Sequence, residues 1–303
     1  MSKEIIYREK NIEKLSTAKV LIEALPYIQK FNGATFVVKY GGSFMDSPDE
    51  SVRQGVARDV VFLEAVEINP VVVHGGGKAI SRAMKAEGLL PRFEQGHRVT
   101  DEKAVQLVHE VLSHQINPEI VKTINALGGV ARGFSGTEIF KCHRKLVDGP
   151  HGDQIDIGYV GEVVEVNTKP LLECIANGVT PVISPTAIGE DGHIHNCNAD
   201  IAAAVTATSL KAKRLVFMSD VPGLLQDPEN PDSLISHLRV QDVAVLKQKG
   251  IIGAGMIPKV ETCLKANENG VDSSVILDGR VPHAILLELF TDNGVGTLIG
   301  TGA

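Results

Sequence analysis

The sequence predicts an α/β fold: a three-layer sandwich around a mainly parallel central sheet, in two lobes with an additional N-terminal helix. Three observations carry this. Strand and helix patterns alternate along most of the chain, as in repeated βαβ units. The stretch Val71-Val-Val-His-Gly-Gly-Gly77-Lys78 runs three β-branched residues straight into a triple glycine, reading as a buried strand, a tight loop and a helix start. An earlier stretch, Phe36-Val-Val-Lys39-Tyr-Gly41-Gly42, repeats the design with a lysine at the strand's end. Glycines let a backbone turn sharply and approach a ligand, and a helix N-terminus behind them attracts anions.

Taken in order, Ile12, Leu15, Val20, Leu21, Ile22, Leu25 and Ile28 recur at helical spacing before the first core strand. Pro26 is expected to kink or interrupt that helix. It either folds back on its own domain or is exchanged with a second subunit. After Gly42 a helix spans 51–66, with Val52, Val56, Val60 and Leu63 as its buried stripe and Pro48 and Ser51 near its start. Pro70 opens the 71–73 strand, and the residues from Lys78 to Ala86 read as a helix. A further helix covers 101–112, with Thr100 and Asp101 offering an N-cap. From Gly128 to Glu165 the pattern is short, alternating and glycine-broken, which predicts hairpins forming a lid or edge sheet. Strand 179–184, helix 200–210, strand 215–218, helix 258–269 and strand 274–277 then resume the alternation. The polar, proline-broken stretch from Gln226 to Ser233 reads as a surface loop.

A chain of 303 residues can bury two cores, and 43% hydrophobic with 22% charged residues is ordinary for a globular protein. The net charge of −7 argues against nucleic-acid binding and leaves any anionic substrate to local lysines and glycines. No apolar run reaches the roughly 20 residues that cross a bilayer, and the N-terminal stretch lacks a signal peptide's apolar centre. Cys142, Cys174, Cys197 and Cys263 have no CxxC spacing, so no zinc site or disulfide framework is expected, and the cytoplasm is the expected compartment.

Three familiar phosphate signatures fail. A Walker A loop ending at Gly77-Lys78 would need glycine where Val72 stands and Ser or Thr where Ala79 stands. The dinucleotide fingerprint fails at Ile80 after Gly75-x-Gly77 and at Pro258 after Gly253-x-Gly255. Protein-kinase elements are absent. Phosphoryl transfer between anions still needs backbone N–H groups, lysines and Mg²⁺ on the nucleotide. Lys39 fits the lysine role, as does Lys259 just past Gly255-Met256-Ile-Pro. Asp200, in His195-Asn196-Cys-Asn198-Ala-Asp200, could hold both ammonium groups. Each has a plainer alternative. Lys39 could be a solvated edge charge, the Asn-x-Asn-x-Asp string a turn and N-cap, and Arg98 a partner of Asp101. His74 reads as a loop-shaping residue.

Together, Val38-Lys39-Tyr-Gly41-Gly42, His74-Gly75-Gly76-Gly77, Gly96-His-Arg98-Val-Thr-Asp101, Asn196-x-Asn198-Ala-Asp200, Ser219-Asp220-Val-x-Gly223 and Gly255-Met256-Ile-Pro-Lys259 resemble the amino-acid kinase family. Within it they are similar to the branch that phosphorylates N-acetyl-L-glutamate. The resemblance implies an N-terminal helix over 1–30, an acceptor lobe over 31–208 and an ATP lobe over 209–303. Gly76, Gly77, Arg98 and Asn196 would contact N-acetyl-L-glutamate. Gly41, Gly42, Ser219, Asp220, Gly255 and Met256 would contact ATP, whose Mg²⁺ rides on the phosphates with no protein metal cluster. Lys39 and Lys259 would act on the phosphoryl group in flight, with Asp200 organising them. The acceptor carboxylate is already ionised at pH 7, so no general base is required. The family pattern is departed from at Ala254 and Cys197, which removes no functional side chain.

The segments around Tyr27 and from His283 to Gly296 resemble the arginine-inhibited members. That implies an L-arginine site at Tyr27, His283, Glu288, Gly294 and Gly296, and a hexamer built as a trimer of dimers through the exchanged helix; alternatively, 283–288 is simply an amphipathic helix. Competing readings are another acceptor on the same fold (carbamate, aspartate, glutamate or uridylate), a nicotinamide dehydrogenase, and a catalytically silent arginine sensor.

Overall fold

One twisted sheet of eight strands organises the chain, in the order β12-β14-β13-β11-β1-β2-β8-β5. The computed structural model describes residues 18–42, 45, 47, 49–149, 152–253, 255–292 and 294–300. Ile12, Leu15, Pro48 and Ala254 therefore lie outside the described residues.

Helix α1 occupies 18–31 and runs on through Pro26, which does not interrupt it. Pro26 is exposed, so solvent can serve the carbonyl that its missing N–H leaves free. β1 (Thr35–Tyr40), α2 (Glu50–Ala65), β2 (Asn69–His74) and α3 (Gly77–Ala86) form the first βαβα run. Asp49 caps α2 by accepting from Ser51 N at 2.8 Å. A small hairpin, β3 (Phe93–Glu94) and β4 (His97–Arg98), precedes α4 (Glu102–His109), whose cap is Asp101 accepting from Ala104 N. The chain then continues as a π-helical segment, Glu110–Ile116, and α5 (Asn117–Ala126). β5 (Ala131–Phe134) is the edge strand, and the short α6 (Gly136–Ile139) starts on a Ser135–Glu138 capping box.

The glycine-broken region divides between two sheets. β5 joins the main sheet, while β6 (Phe140–Asp148) and β7 (Gln154–Val166) pair as a long antiparallel hairpin. After α7 (Lys169–Ala176) and β8 (Thr180–Ile183), β9 (Thr186–Gly189) and β10 (Ile194–Cys197) close that hairpin into a four-stranded barrel. α8 (Ala199–Ser209) and β11 (Arg214–Ser219) return to the main sheet. β12 (His237–Leu238), α9 (Val243–Gln248), α10 (Ile257–Glu268), β13 (Ser273–Asp278), α11 (Ala284–Leu289) and β14 (Thr297–Gly300) complete the chain. All pairings in the main sheet are parallel except β13 with β14.

Side chains on a strand alternate between faces, and both faces here are buried. Val37, Val71, Val73, Leu215 and Phe217 pack with Ala202, Ala203, Val260 and Cys263 of α8 and α10. Val38, Val72, Val216 and Val275 pack on the other side with Val56, Val60 and Leu63 of α2, Ile124 of α5 and Ile285 of α11. That is the three-layer sandwich. Parallel strands place the carboxyl ends of β1, β2 and β11 on one edge, where ligands bind in open α/β sheets.

Candidate active site

At that edge the two glycine loops touch. Gly75 N donates to Tyr40 O at 2.7 Å, and a Cβ on Gly41 would stand 3.1 Å from Gly75 Cα. A Cβ on Gly76 would come within 2.6 Å of the terminal methyls of both Leu112 and Ile116, so any larger residue there would displace them.

Lys39, near the end of β1, and Lys259, in the first turn of α10, converge on Asp200 in the first turn of α8. Lys39 Nζ lies 3.1 Å from Asp200 Oδ1, and Lys259 Nζ takes Oδ2. The side chain of Asn198 accepts from Asp200 N and Ile201 N, fixing the start of α8 and with it the carboxylate. Burial pushes the Asp200 carboxyl up, but the two ammonium groups outweigh it and hold the group below the ordinary carboxylate range. Two cations share one anion, so a net positive charge faces an incoming anion.

Lys39 and Asp200 line a cavity of about 280 Å³ together with Gly41, Gly42, Gly75, Gly76, Gly77, Arg98 and Asn196, and Lys259 stands behind Asp200, outside the lining. Every residue expected to hold the acceptor therefore lines this one cavity, with Lys39 and Asp200 of the expected catalytic trio, while Lys259 is joined to it through Asp200. Arg98 is 8% exposed; Nη2 donates to Gly77 O at 3.0 Å and Ser81 Oγ at 2.9 Å, and its guanidinium stacks over Phe93. It does not pair with Asp101, which is committed to the α4 cap. Burial lowers the Arg98 pKa.

The expected nucleotide residues are split. Gly41 and Gly42 line the cavity just described. Ser219 ends β11, Asp220 comes directly after it, and Gly255 and Met256 lead into α10. Asp220 lines a neighbouring cavity of about 500 Å³, whose wall also contains Gly42, Gly76 and Gly77.

The expected arginine residues gather around α11. Tyr27 donates its hydroxyl hydrogen to Asp292, and Glu288 Oε2 accepts from Val295 N at 2.9 Å and Gly296 N at 3.1 Å. Gly294 sits in the left-handed region (φ 58°), close against that carboxylate. Burial raises the Glu288 pKa despite those donors. His283 turns instead to Asp59 on α2, with Nδ1 2.7 Å from Oδ1.

Three features are not apparent from the sequence. The helix after Asp101 does not stop at Leu112, because the π turn carries it past Asn117-Pro118. Asp59, a charge in the apolar stripe of α2, is 1% exposed; a carboxylate at such a position was the signal available. Cys142 and Cys197 are both buried in the barrel, the Cys197 thiol facing His195 O, and Cys197 reaches the cavity wall. All four cysteines are free.

The characteristic pattern of the amino acid kinase family matches residues 34–278, most of the chain. The chain belongs to the amino acid kinase family. It is 46% identical over 298 residues to the acetylglutamate kinase of Caldanaerobacter subterraneus subsp. tengcongensis, covering 98% of this chain and 97% of that one. Among solved structures, N-acetylglutamate synthase from Neisseria gonorrhoeae complexed with coenzyme A and N-acetyl-glutamate superposes with a TM-score of 0.77 at 25% identity. The match covers 94% of this chain, which spans 64% of the synthase's length. The same synthase complexed with coenzyme A and L-arginine gives 0.76 at 26% identity, over 94% of this chain and 66% of that one. Among the described residues, no helix is long and apolar enough to cross a membrane.

Proposed function

We propose that the protein transfers the terminal phosphoryl group of MgATP to the side-chain carboxylate of N-acetyl-L-glutamate, as an enzyme of arginine biosynthesis in the cytoplasm. The observation that carries this is the near full-length identity to an acetylglutamate kinase, seated on a cavity that joins Arg98 to the Lys39–Asp200–Lys259 cluster. In this reading the acceptor lies against Gly76, Gly77, Arg98 and Asn196, in the lobe over 31–208. ATP lies over the 209–303 lobe at Ser219, Asp220, Gly255 and Met256, with its phosphates against Gly41 and Gly42. Mg²⁺ would enter with the nucleotide as part of the substrate and would neutralise charge on its phosphates.

The chemistry is positioning and charge neutralisation. The attacking carboxylate oxygen is already anionic, so no proton has to be removed. Lys39 and Lys259 meet the negative charge on the phosphoryl oxygens as the bond to the leaving ADP lengthens. Asp200 holds the two ammonium groups together against their mutual repulsion. A coupled ADP-release assay tests this: turnover with N-acetylglutamate and little with carbamate, aspartate, glutamate or uridylate is expected. Preference for one of those acceptors would refute the substrate assignment.

The second part of the reading is inhibition by L-arginine, bound among Tyr27, His283, Glu288, Gly294 and Gly296. Its support is the clustering of Glu288, Gly294 and Gly296 beside Tyr27, and an arginine complex of the related synthase. The outward side of α1, with Val20, Leu21 and Ile22 exposed, supports exchange with a second copy and a hexamer of three dimers. Repeating the ADP assay with arginine tests the inhibition.

A further inference from the structure

His74 closes β2 directly before the glycine loop and is completely buried. Its Nδ1 lies 2.9 Å from Gly75 O, and its Nε2 lies 3.3 Å from Asn117 Nδ2. Asn117 is buried too, and the same Nδ2 donates to Val182 O at 2.9 Å. A carbonyl can only accept, so this atom is the amide nitrogen; its second hydrogen lies between His74 Nε2 and the more distant Phe134 O at 3.4 Å. Gly75 O can only accept, so the ring hydrogen sits on Nδ1 and donates to it, which leaves Nε2 as the lone-pair nitrogen facing the Asn117 amide. Burial holds the His74 pKa down to about 4, so the ring stays neutral at physiological pH.

This bond has a consequence across the next peptide plane. In a trans peptide the C=O of one residue and the N–H of the next point in opposite directions. With Gly75 O drawn inward to His74, the Gly76 N–H is turned away from the buried ring. Gly76 lines the substrate cavity, and its N–H has no acceptor among the described residues. The π turn secures the arrangement from one helical run: Leu112 and Ile116 press on Gly76, and Asn117, the next residue, reaches His74. A π turn of this kind re-registers side chains that a regular helix would misplace.

We infer that His74 and Asn117 form a positioning pair, which locks the Gly75–Gly76 peptide so that the Gly76 N–H is ready for an oxygen of the transferring phosphoryl group. The inference rests on the kinase reading above and adds two residues that touch neither substrate. It assigns His74 no proton transfer.

The test compares His74→Phe, which keeps bulk but has no donor, with His74→Asn, whose amide nitrogen can stand where Nδ1 stood. His74→Phe is expected to lower kcat about 10- to 100-fold, less than deletion of a donor outright, with both KM values within about threefold. His74→Asn should recover kcat to within about fivefold of wild type, since the bond to Gly75 O is restored. Near-normal turnover in His74→Phe, or equal impairment of both variants, would overturn the proposal. Thermal melts accompany both. Should the Phe variant not fold, ¹⁵N spectra of histidine-labelled wild type decide: a neutral Nδ1–H ring from about pH 5.5 to 8 is expected. An Nε2–H ring, or titration within that range, would defeat it. Wild-type inactivity toward N-acetylglutamate would instead refute the substrate reading, and is scored on the wild type alone.

Discussion

Lys39 and Asp200 meet as a part-buried ion pair, Nζ to Oδ1 at 3.1 Å, while Lys259 occupies the carboxylate's other oxygen. The side chains are 12%, 17% and 20% exposed respectively, so the charges are only weakly screened. An anion arriving in the cavity finds two ammonium groups already oriented. Little reorganisation remains for the moment at which charge develops.

Lys39→Ala should therefore act on turnover. We expect kcat to fall about 10²–10³-fold with KM for N-acetylglutamate within about threefold, because the ammonium acts on charge that appears in the transition state. Steady-state kinetics on both substrates would check it, and a variant with near-normal kcat would remove Lys39 from the proposed mechanism.

Arg98→Lys should act on acceptor binding. The guanidinium is held by Gly77 O, Ser81 Oγ and the Phe93 ring, contacts that a single ammonium cannot reproduce together. KM for N-acetylglutamate is expected to rise about tenfold or more, with KM for ATP much less affected. Movement of the ATP constant alone would put Arg98 on the wrong ligand.

Much of this arrangement was legible in the sequence, for local reasons. β1, β2, β11 and β13 are apolar runs of buried parallel strands, and glycines or caps mark the turns after them. Lys39, Asp200 and Lys259 stand out because each sits at such a junction. The features that stayed hidden depend on distant neighbours. The helix expected over 101–112 runs on to Ala126 through a π turn, where Leu112 and Ile116 pack against Gly76. The barrel strands β9 and β10 are four residues each, too short to announce themselves. Pro26 looks like a breaker because pattern alone does not tell that its side of the helix faces solvent. The His74–Asn117 pair spans 43 positions and the Asp59–His283 pair 224, beyond any local pattern.

The Asp59–His283 contact leads to a pH prediction. Burial pushes the Asp59 carboxyl up to about 6, outweighing the His283 bond and the Ile285 amide that favour its charged form. A carboxyl raised in the folded state binds its proton more tightly there than in the unfolded chain, so it stabilises the fold below its ordinary pKa. That contribution is lost as pH rises from about 4 to about 6, and amounts to about 2–3 kcal/mol. Asn mimics the protonated acid. In thermal melts Asp59→Asn should match wild type only below about pH 4 and exceed it at neutrality, the gap opening between about pH 4 and about 6 and staying constant above. A variant less stable at neutrality, with the gap closing toward acid, would mean that the charged pair with His283 dominates.

Deleting residues 1–30 should leave a folded, active dimer and abolish both larger assembly and arginine inhibition. The inner side of α1 is anchored: Ala24, Tyr27 and Ile28 pack on the core beneath α2 and α11. Its outer side is not, because Val20, Leu21 and Ile22 are 62–68% exposed, an apolar stripe that demands a partner. The deletion stops before Phe31, whose ring is buried against Phe36, so β1 and Lys39 should keep their places. It also removes Tyr27, and with it the bond to Asp292 that ties α1 to the loop beyond Glu288. Arginine can inhibit only through a difference in its affinity for two arrangements of that loop and helix, and the truncated chain would have lost one of them. Light scattering and an arginine titration of the ADP-release rate test the two halves together. A truncated enzyme that still assembles beyond the dimer and that arginine still inhibits would show that α1 has neither role.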